Sequence, residues 1–245
     1  ESFWLYRANE IVVKYGTAGP NVCPEEAIVA FRERFPDLTG RRVAVFLSRI
    51  HEKKGCDLLI RAFARVYGGS DEWRLVIAGP DDSNCRPRLE AIAQEEGIAS
   101  QVVWTGMLTG LLKWGAFYSS EFFALPSHQE NFGVVVAEAL ACGLPVLVTE
   151  KVNIWREIAE DRAGVVGADT EEGVTGLLQT WSSMTAGERE RMQKNARPCF
   201  ERRFYVEEAA RSLQSVLRSI IHRESNAGVD PKSLGVAPER LRQIR

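Results

Sequence analysis

The sequence is poor in the features that mark disulfide scaffolds and zinc sites. Its five cysteines are odd in number, lie far apart and include no Cys-x-x-Cys pair. This spacing argues against a disulfide framework and against a zinc site. Because a free cysteine packs like a small hydrophobic residue, we expect reduced thiols that mostly fill the core. Reduced thiols are typical of a cytoplasmic protein.

The sequence also lacks an excess of one charge and a long apolar run. Lys and Arg number 31 against 33 Asp and Glu, a formal net charge of −2. Nucleic-acid binding requires a dense basic face, so no nucleic-acid partner is expected. The longest apolar stretch, residues 132–149, is interrupted by Glu138, Gly143 and Pro145. A membrane-spanning helix needs about 20 apolar residues, so no transmembrane segment is predicted.

An initiator methionine and a signal-peptide pattern are absent as well. The chain begins Glu1-Ser2-Phe3-Trp4, which predicts a chain cut from a longer protein. Its 245 residues allow one or two domains of about 150 residues each.

What the sequence does contain is a regular alternation of apolar strand-length runs with amphipathic helix-length stretches. The predicted strands are 43–47, 73–78, 101–105, 121–125, 144–149 and 163–166. The predicted helices are 25–34, 58–66, 89–93, 111–118, 133–141, 152–160, 171–182, 186–203 and 206–222. Several strands are apolar throughout, which indicates burial on both faces. The pattern predicts an α/β fold with a parallel sheet between two layers of helices.

The alternation also suggests domain limits. Residues 1–40 are interpreted as a lead-in with one short helix, and residues 41–222 as one α/β domain with C-terminal helices. Residues 223–245 are polar and are predicted to be a weakly ordered tail.

In an open parallel sheet, ligands bind at the carboxyl ends of the strands. The loop after the first strand carries Arg49, Lys53 and Lys54, which could hold a phosphate or diphosphate beside a helix N-terminus. It has no P-loop pattern. A solvated cluster of charges fits this loop equally well.

The loop after the fourth strand carries Glu130, and Glu138 is the only charged residue of the helix that follows. A lone buried carboxylate needs a hydrogen-bonding partner, and no cation lies one helical turn away. Sugar hydroxyls are suitable partners. The alternative left open is that Glu130 is a surface acid and that Glu138 has a structural hydrogen-bonding role.

Three motifs together resemble the family 4 retaining glycosyltransferases. Glu130-Asn131-Phe132-Gly133-x4-Glu138 looks like the Glu-x7-Glu signature of that family. The loop Arg49-x4-Lys54 is similar to its diphosphate loop, and residues 104–108 resemble its nucleotide-base loop. The resemblance runs from about residue 43 to 167, with the motifs in the family's order.

The resemblance implies the C-terminal, donor-binding half of a GT-B glycosyltransferase, with a Rossmann-like α/β/α fold. The implied function is transfer of a hexosyl group from a UDP- or GDP-linked sugar, with retention of the anomeric configuration. The acceptor hydroxyl would belong to an unidentified carbohydrate or lipid-linked molecule, bound with a missing N-terminal domain. The resemblance implies no metal and no cofactor, and it allows a full-length protein peripheral to a membrane.

Roles carry over only by resemblance. The implied catalytic residues are Arg49 and Lys54, which neutralise the diphosphate, and Glu130, which binds the transferred sugar. Glu138 would bind the ribose hydroxyls. The other implied donor-binding residues are Asn131, Phe132, Gly133 and Val134 beside sugar and phosphate, and Met107 and Leu108 beside the base.

Three other classes of protein compete with this interpretation. A non-catalytic nucleotide-sugar-binding module and a related sugar phosphorylase remain alternatives. An NAD-dependent enzyme is set aside, because the first loop lacks Gly-x-Gly-x-x-Gly.

Overall fold

The computed structural model describes residue 11 and residues 13–226. A six-stranded, all-parallel sheet lies at its centre, in the strand order β3-β2-β1-β4-β5-β6. The strands are β1 Arg42–Leu47, β2 Trp73–Ala78, β3 Val102–Gly106, β4 Phe122–Leu125, β5 Val146–Thr149 and β6 Gly164–Gly167. The predicted α/β fold with a parallel sheet is confirmed.

Helices flank the sheet. They are α1 Pro24–Arg34, α2 Cys56–Tyr67, α3 Arg86–Glu95, α4 Gly110–Tyr118, α5 Val134–Ala141, α6 Trp155–Glu160, α7 Glu171–Ser183, α8 Ala186–Arg203 and α9 Val206–Asn226. Short 3₁₀ turns lie at Pro36–Leu38, Glu52–Lys54 and Ala99–Gln101. Every residue of β4 and β5 is buried. Since successive side chains of a strand point to opposite faces, both faces of the sheet are covered.

The strand order places the topological switch point between β1 and β4. β1 pairs with β2 on one side and with β4 on the other, so the chain winds outward in both directions from this pair. The carboxyl ends of β1 and β4 meet at this switch point, which is the usual ligand position in such sheets.

The helix of the predicted lead-in is packed into the domain. Ala27 and Phe31 of α1 are fully buried, and α1 packs against α4. The contact is close, because a Cβ at Gly115 of α4 would overlap the carbonyl oxygen of Ala27. This part of residues 1–40 therefore belongs to the core.

At the other end, α9 continues to Asn226, beyond the predicted helix end at 222. The remainder of the predicted tail, residues 227–245, lies outside the described residues. In the part of the chain that the structure describes, no helix has the length and apolar character needed to cross a bilayer.

Candidate functional site

The loop after β1 has a tightly determined backbone. It forms the 3₁₀ turn Glu52–Lys54, in which His51 Nδ1 accepts a hydrogen bond of 3.1 Å from the Lys53 amide. Gly55 follows in the left-handed conformation, with φ of 67°, and α2 begins at the next residue. A Cβ at Gly55 would overlap the carbonyl oxygen of Pro126. Glycine is therefore required for this loop to approach the loop after β4.

Hydrogen bonds tie the two loops together. The buried Ser127 hydroxyl donates to the Lys53 carbonyl at 2.9 Å, and the His128 amide donates to the same oxygen at 2.8 Å. From the β5 side, the Thr149 hydroxyl donates to the Ser127 carbonyl. The side chains at the ends of β1 and β4 are therefore held in a common frame.

The backbone of Glu130 is hydrogen-bonded to the loop after β5. Its amide donates to the Lys151 carbonyl at 2.9 Å, and its carbonyl accepts from the Asn153 amide at 3.0 Å. These bonds explain why α6 begins at Trp155 and not at the predicted residue 152. The Glu130 carboxylate forms an ion pair with Lys54, so the two loops also meet through opposite charges.

An open cleft of about 360 Å³ lies at this meeting point. Its lining residues are Arg49, His51, Lys53, Lys54, Gln129, Glu130 and Asn131. Arg49, Lys53 and Lys54 are cationic, whereas Glu130 is the single carboxylate of this lining. An excess of cationic side chains favours a phosphate or diphosphate. The structure thus brings together Arg49, Lys54, Glu130 and Asn131 in one cleft.

The N-terminus of α5 lies beside the cleft. Gly133, with φ of 76°, precedes the helix, and no described residue accepts a hydrogen bond from the amides of Asn131, Phe132 or Gly133. Free amides at a helix N-terminus favour an anion. The Phe132 ring, in contrast, lies edge-on against Phe204 and Tyr15, with centroids 5.8 and 4.8 Å apart. Phe132 can therefore offer its backbone, while its side chain is engaged in packing.

Glu138 has a protein partner that the sequence reasoning missed. Lys113 Nζ of α4 lies 2.9 Å from Glu138 Oε1. The sequence named sugar hydroxyls as suitable partners and left a structural hydrogen bond open; the structure adds a cation from a neighbouring helix. A signal was present: Lys113 is the only charged residue of α4, as Glu138 is of α5.

The remaining predicted donor residues differ in accessibility. Met107 is 69% exposed and directly follows β3, in a position that a ligand can reach. Leu108 is only 7% exposed and is part of the hydrophobic core, so its side chain does not line an open base site. Val134, at the first position of α5, is partly exposed. None of these three lines the cleft at Lys54 and Glu130.

The histidine of the β4 loop has a structural partner. His128 Nδ1 lies 3.1 Å from Asp169 Oδ2, and Lys151 lies 3.9 Å from the other oxygen of that carboxylate. The hydrogen bond from His128 lowers the pKa of Asp169 below its ordinary value. Within residues 13–226, no group of three or more His, Cys, Asp or Glu is placed to hold a metal ion.

Comparison with known proteins identifies the class of this chain. The family described as Glycosyl transferases group 1 matches residues 30–198. A D-inositol 3-phosphate glycosyltransferase of Xylanimonas cellulosilytica is 30% identical over 202 residues, which cover 78% of this chain and 45% of the relative. The chain belongs to the group 1 glycosyltransferases, and it spans less than half the length of the curated relatives it matches.

Solved structures agree with this fold. Anabaena HepE, solved with UDP and glucose, has a TM-score of 0.72 at 18% identity, covering 85% of this chain and 56% of HepE. The C-terminal domain of the group 1 protein LpcC from Francisella tularensis has a TM-score of 0.63 at 17% identity. That match covers 72% of this chain and 93% of the LpcC domain. These likenesses show the Rossmann-like fold of a GT-B glycosyltransferase.

Proposed function

We propose that this chain binds the nucleotide-sugar donor of a retaining, metal-independent glycosyltransferase, which moves a hexosyl group to an acceptor hydroxyl. The observation that carries the proposal is the cationic cleft at the β1/β4 switch point, where Lys54 meets Glu130. HepE, a protein of the same fold, has been solved with UDP-glucose. The proposed donor is accordingly linked to UDP or GDP.

In this mechanism the protein acts mainly by electrostatic stabilisation. Arg49 and Lys54 neutralise the diphosphate as it departs, and the amides at the start of α5 add fixed dipoles. Glu130 accepts hydrogen bonds from the transferred sugar, and the acceptor hydroxyl attacks from the face that the diphosphate leaves. Cationic side chains thereby take the role that a divalent metal has in other transferases.

The two glutamates do not act as the carboxylate pair of a retaining hydrolase. Such a pair flanks one glycosidic bond at about 5 Å. Glu130 and Glu138 instead have separate lysine partners, Lys54 and Lys113, on different elements. This separation supports different roles: Glu130 at the sugar, and Glu138 at the ribose.

Calorimetric titration with UDP, GDP and ADP tests the donor site. We expect at least one of them to bind the wild-type chain, and Glu138→Gln to weaken that binding roughly tenfold through loss of a charged hydrogen bond. Glu130→Gln is expected to leave nucleoside diphosphate affinity nearly unchanged.

Glu121→Gln is the matched control, because Glu121 pairs with Arg42 at the opposite end of the sheet, away from the cleft. It should leave nucleotide affinity unaltered. If the folded wild-type chain binds none of the three nucleotides, the donor site is refuted. If Glu130→Gln and Glu138→Gln exchange their effects, the role assignment is reversed.

A further inference from the structure

Two lone charges meet between two otherwise apolar helices. α4 has the sequence GLLKWGAFY and α5 has VVVAEALA, and each contains one charged residue. These residues, Lys113 and Glu138, form an ion pair of 2.9 Å with side-chain exposures of 23% and 15%. Replacing a largely buried ion pair by well-packed apolar residues is often neutral or stabilising, so stability alone does not account for this pair.

The pair is only partly satisfied. Lys113 Nζ has three donor protons, of which one serves Glu138 Oε1, while the ammonium rests 4.2 Å from the centroid of the Trp114 ring. No described residue donates a hydrogen bond to Glu138 Oε2. One acceptor oxygen and further ammonium protons therefore remain for a ligand.

The positions of the two helices connect this pair to the nucleotide. α4 begins at Gly110, directly after the loop that carries the exposed Met107, and α5 begins at Val134, directly after residues 131–133, which are proposed to lie beside sugar and phosphate. A bridge between α4 and α5 therefore links the side of the site proposed for the base with the side proposed for the sugar.

We infer that Lys113 is a positioning residue of the nucleoside subsite: it holds the Glu138 carboxylate so that Oε2 faces the ribose hydroxyls. The inference rests on the proposed function, in which Glu138 binds ribose. Lys113 acts through Glu138 and is not assigned a contact with the reacting atoms.

Discrimination between ribose and deoxyribose gives the specific readout. The nucleoside diphosphate that binds wild type best is titrated beside its 2′-deoxy and 3′-deoxy counterparts. Wild type is expected to prefer the ribonucleotide, and Lys113→Met is expected to weaken ribonucleotide binding about five- to tenfold. The affinity of Lys113→Met for the deoxynucleotides should change little. Its preference for the ribonucleotide should therefore fall towards that of Glu138→Gln.

Further variants separate positioning from general effects. Lys113→Arg should keep most of the preference, and the double variant Lys113→Met/Glu138→Gln should be little worse than Glu138→Gln. Lys194→Met is the matched control, because Lys194 pairs with Glu190 on the exposed surface of α8. It should bind like wild type.

The possible outcomes distinguish the two claims. If wild type binds no nucleoside diphosphate, the proposed function fails and this inference with it. If wild type discriminates but Lys113→Met weakens all three nucleotides equally, the charge acts generally and only the positioning role is overturned. Tighter ribonucleotide binding by Lys113→Met would overturn it too, because Lys113 would then be blocking the carboxylate.

Discussion

Single residues determine how closely the two loops of the cleft can approach. Gly55 is left-handed and lies against the Pro126 carbonyl, whereas a Cβ added at Gly40, also left-handed with φ of 75°, would meet no atom within 4 Å. The two glycines share the same backbone requirement but differ in surroundings. Comparing substitutions at the two glycines therefore separates the effect of the contact between the loops from that of the left-handed backbone.

Gly55→Ala should therefore be much more damaging than Gly40→Ala. A non-glycine residue in the left-handed region costs about 1–2 kcal/mol, which is the whole effect expected for Gly40→Ala. Gly55→Ala adds a steric overlap that only a loop displacement can relieve, so we expect a larger loss of unfolding free energy in urea and weaker nucleoside diphosphate binding. Equal losses for the two variants would contradict the close approach.

At the scale of elements, the limits of a helix are predicted correctly where local sequence signals determine them and incorrectly where tertiary contacts do. The predicted limits of α8, 186–203, are those of the structure, and Thr185 and Glu188 form a capping box at its start that a sequence pattern can reveal. The predicted start of α6 is too early, because Val152 pairs with Glu130. That partner lies on another loop, and the local sequence contains no sign of it.

The same distinction applies to the candidate site. Arg49, Lys54 and Glu130 were predictable as neighbours, because loops at the carboxyl ends of adjacent parallel strands meet. The Lys113–Glu138 pair depends on which faces of α4 and α5 point at each other. Tertiary packing decides that orientation, so the sequence identified Glu138 as a lone charge without its partner.

The junction of α6 and α8 provides a pH-dependent test at this scale. The side chain of Asp161, which follows α6, is 7% exposed and accepts hydrogen bonds from Arg203 at 3.1 and 3.2 Å. Arg202 contacts the same carboxylate at 2.6 Å. Burial opposes ionisation, but the hydrogen bonds from Arg203 and Arg202 outweigh it and lower the pKa of Asp161 from 3.8 to about 2.

Because the folded pKa lies below the unfolded one, this stabilisation is present above about pH 4 and is lost as the pH falls towards 2. Asp161→Asn should lower the free energy of unfolding by about 2 kcal/mol at pH 6. In urea unfolding, the difference in this free energy between wild type and variant, the gap, should be smaller at pH 3. Asp71→Asn, at a carboxylate that is 93% exposed, is the control and should show no gap. A gap that stays constant from pH 6 to 3 would contradict the role given to Asp161.

At the scale of the whole molecule, the described residues form one open wall of the proposed reaction site. The cleft at Lys54 and Glu130 is exposed to solvent, and the chain spans less than half the length of its curated relatives. Transfer requires that water be excluded and that an acceptor hydroxyl be positioned over the sugar. In the proposed function both requirements are met by a second domain.

The isolated 245-residue chain should therefore bind a nucleoside diphosphate without turning over the corresponding nucleotide sugar. UDP-, GDP- and ADP-glucose are incubated with the chain, and release of nucleoside diphosphate is followed by chromatography. We expect release no faster than in buffer for wild type, Glu130→Gln and the Glu121→Gln control alike. Release by wild type that Glu130→Gln abolishes and Glu121→Gln retains would mean that this domain completes the active site by itself, since only a site using Glu130 would respond in that way.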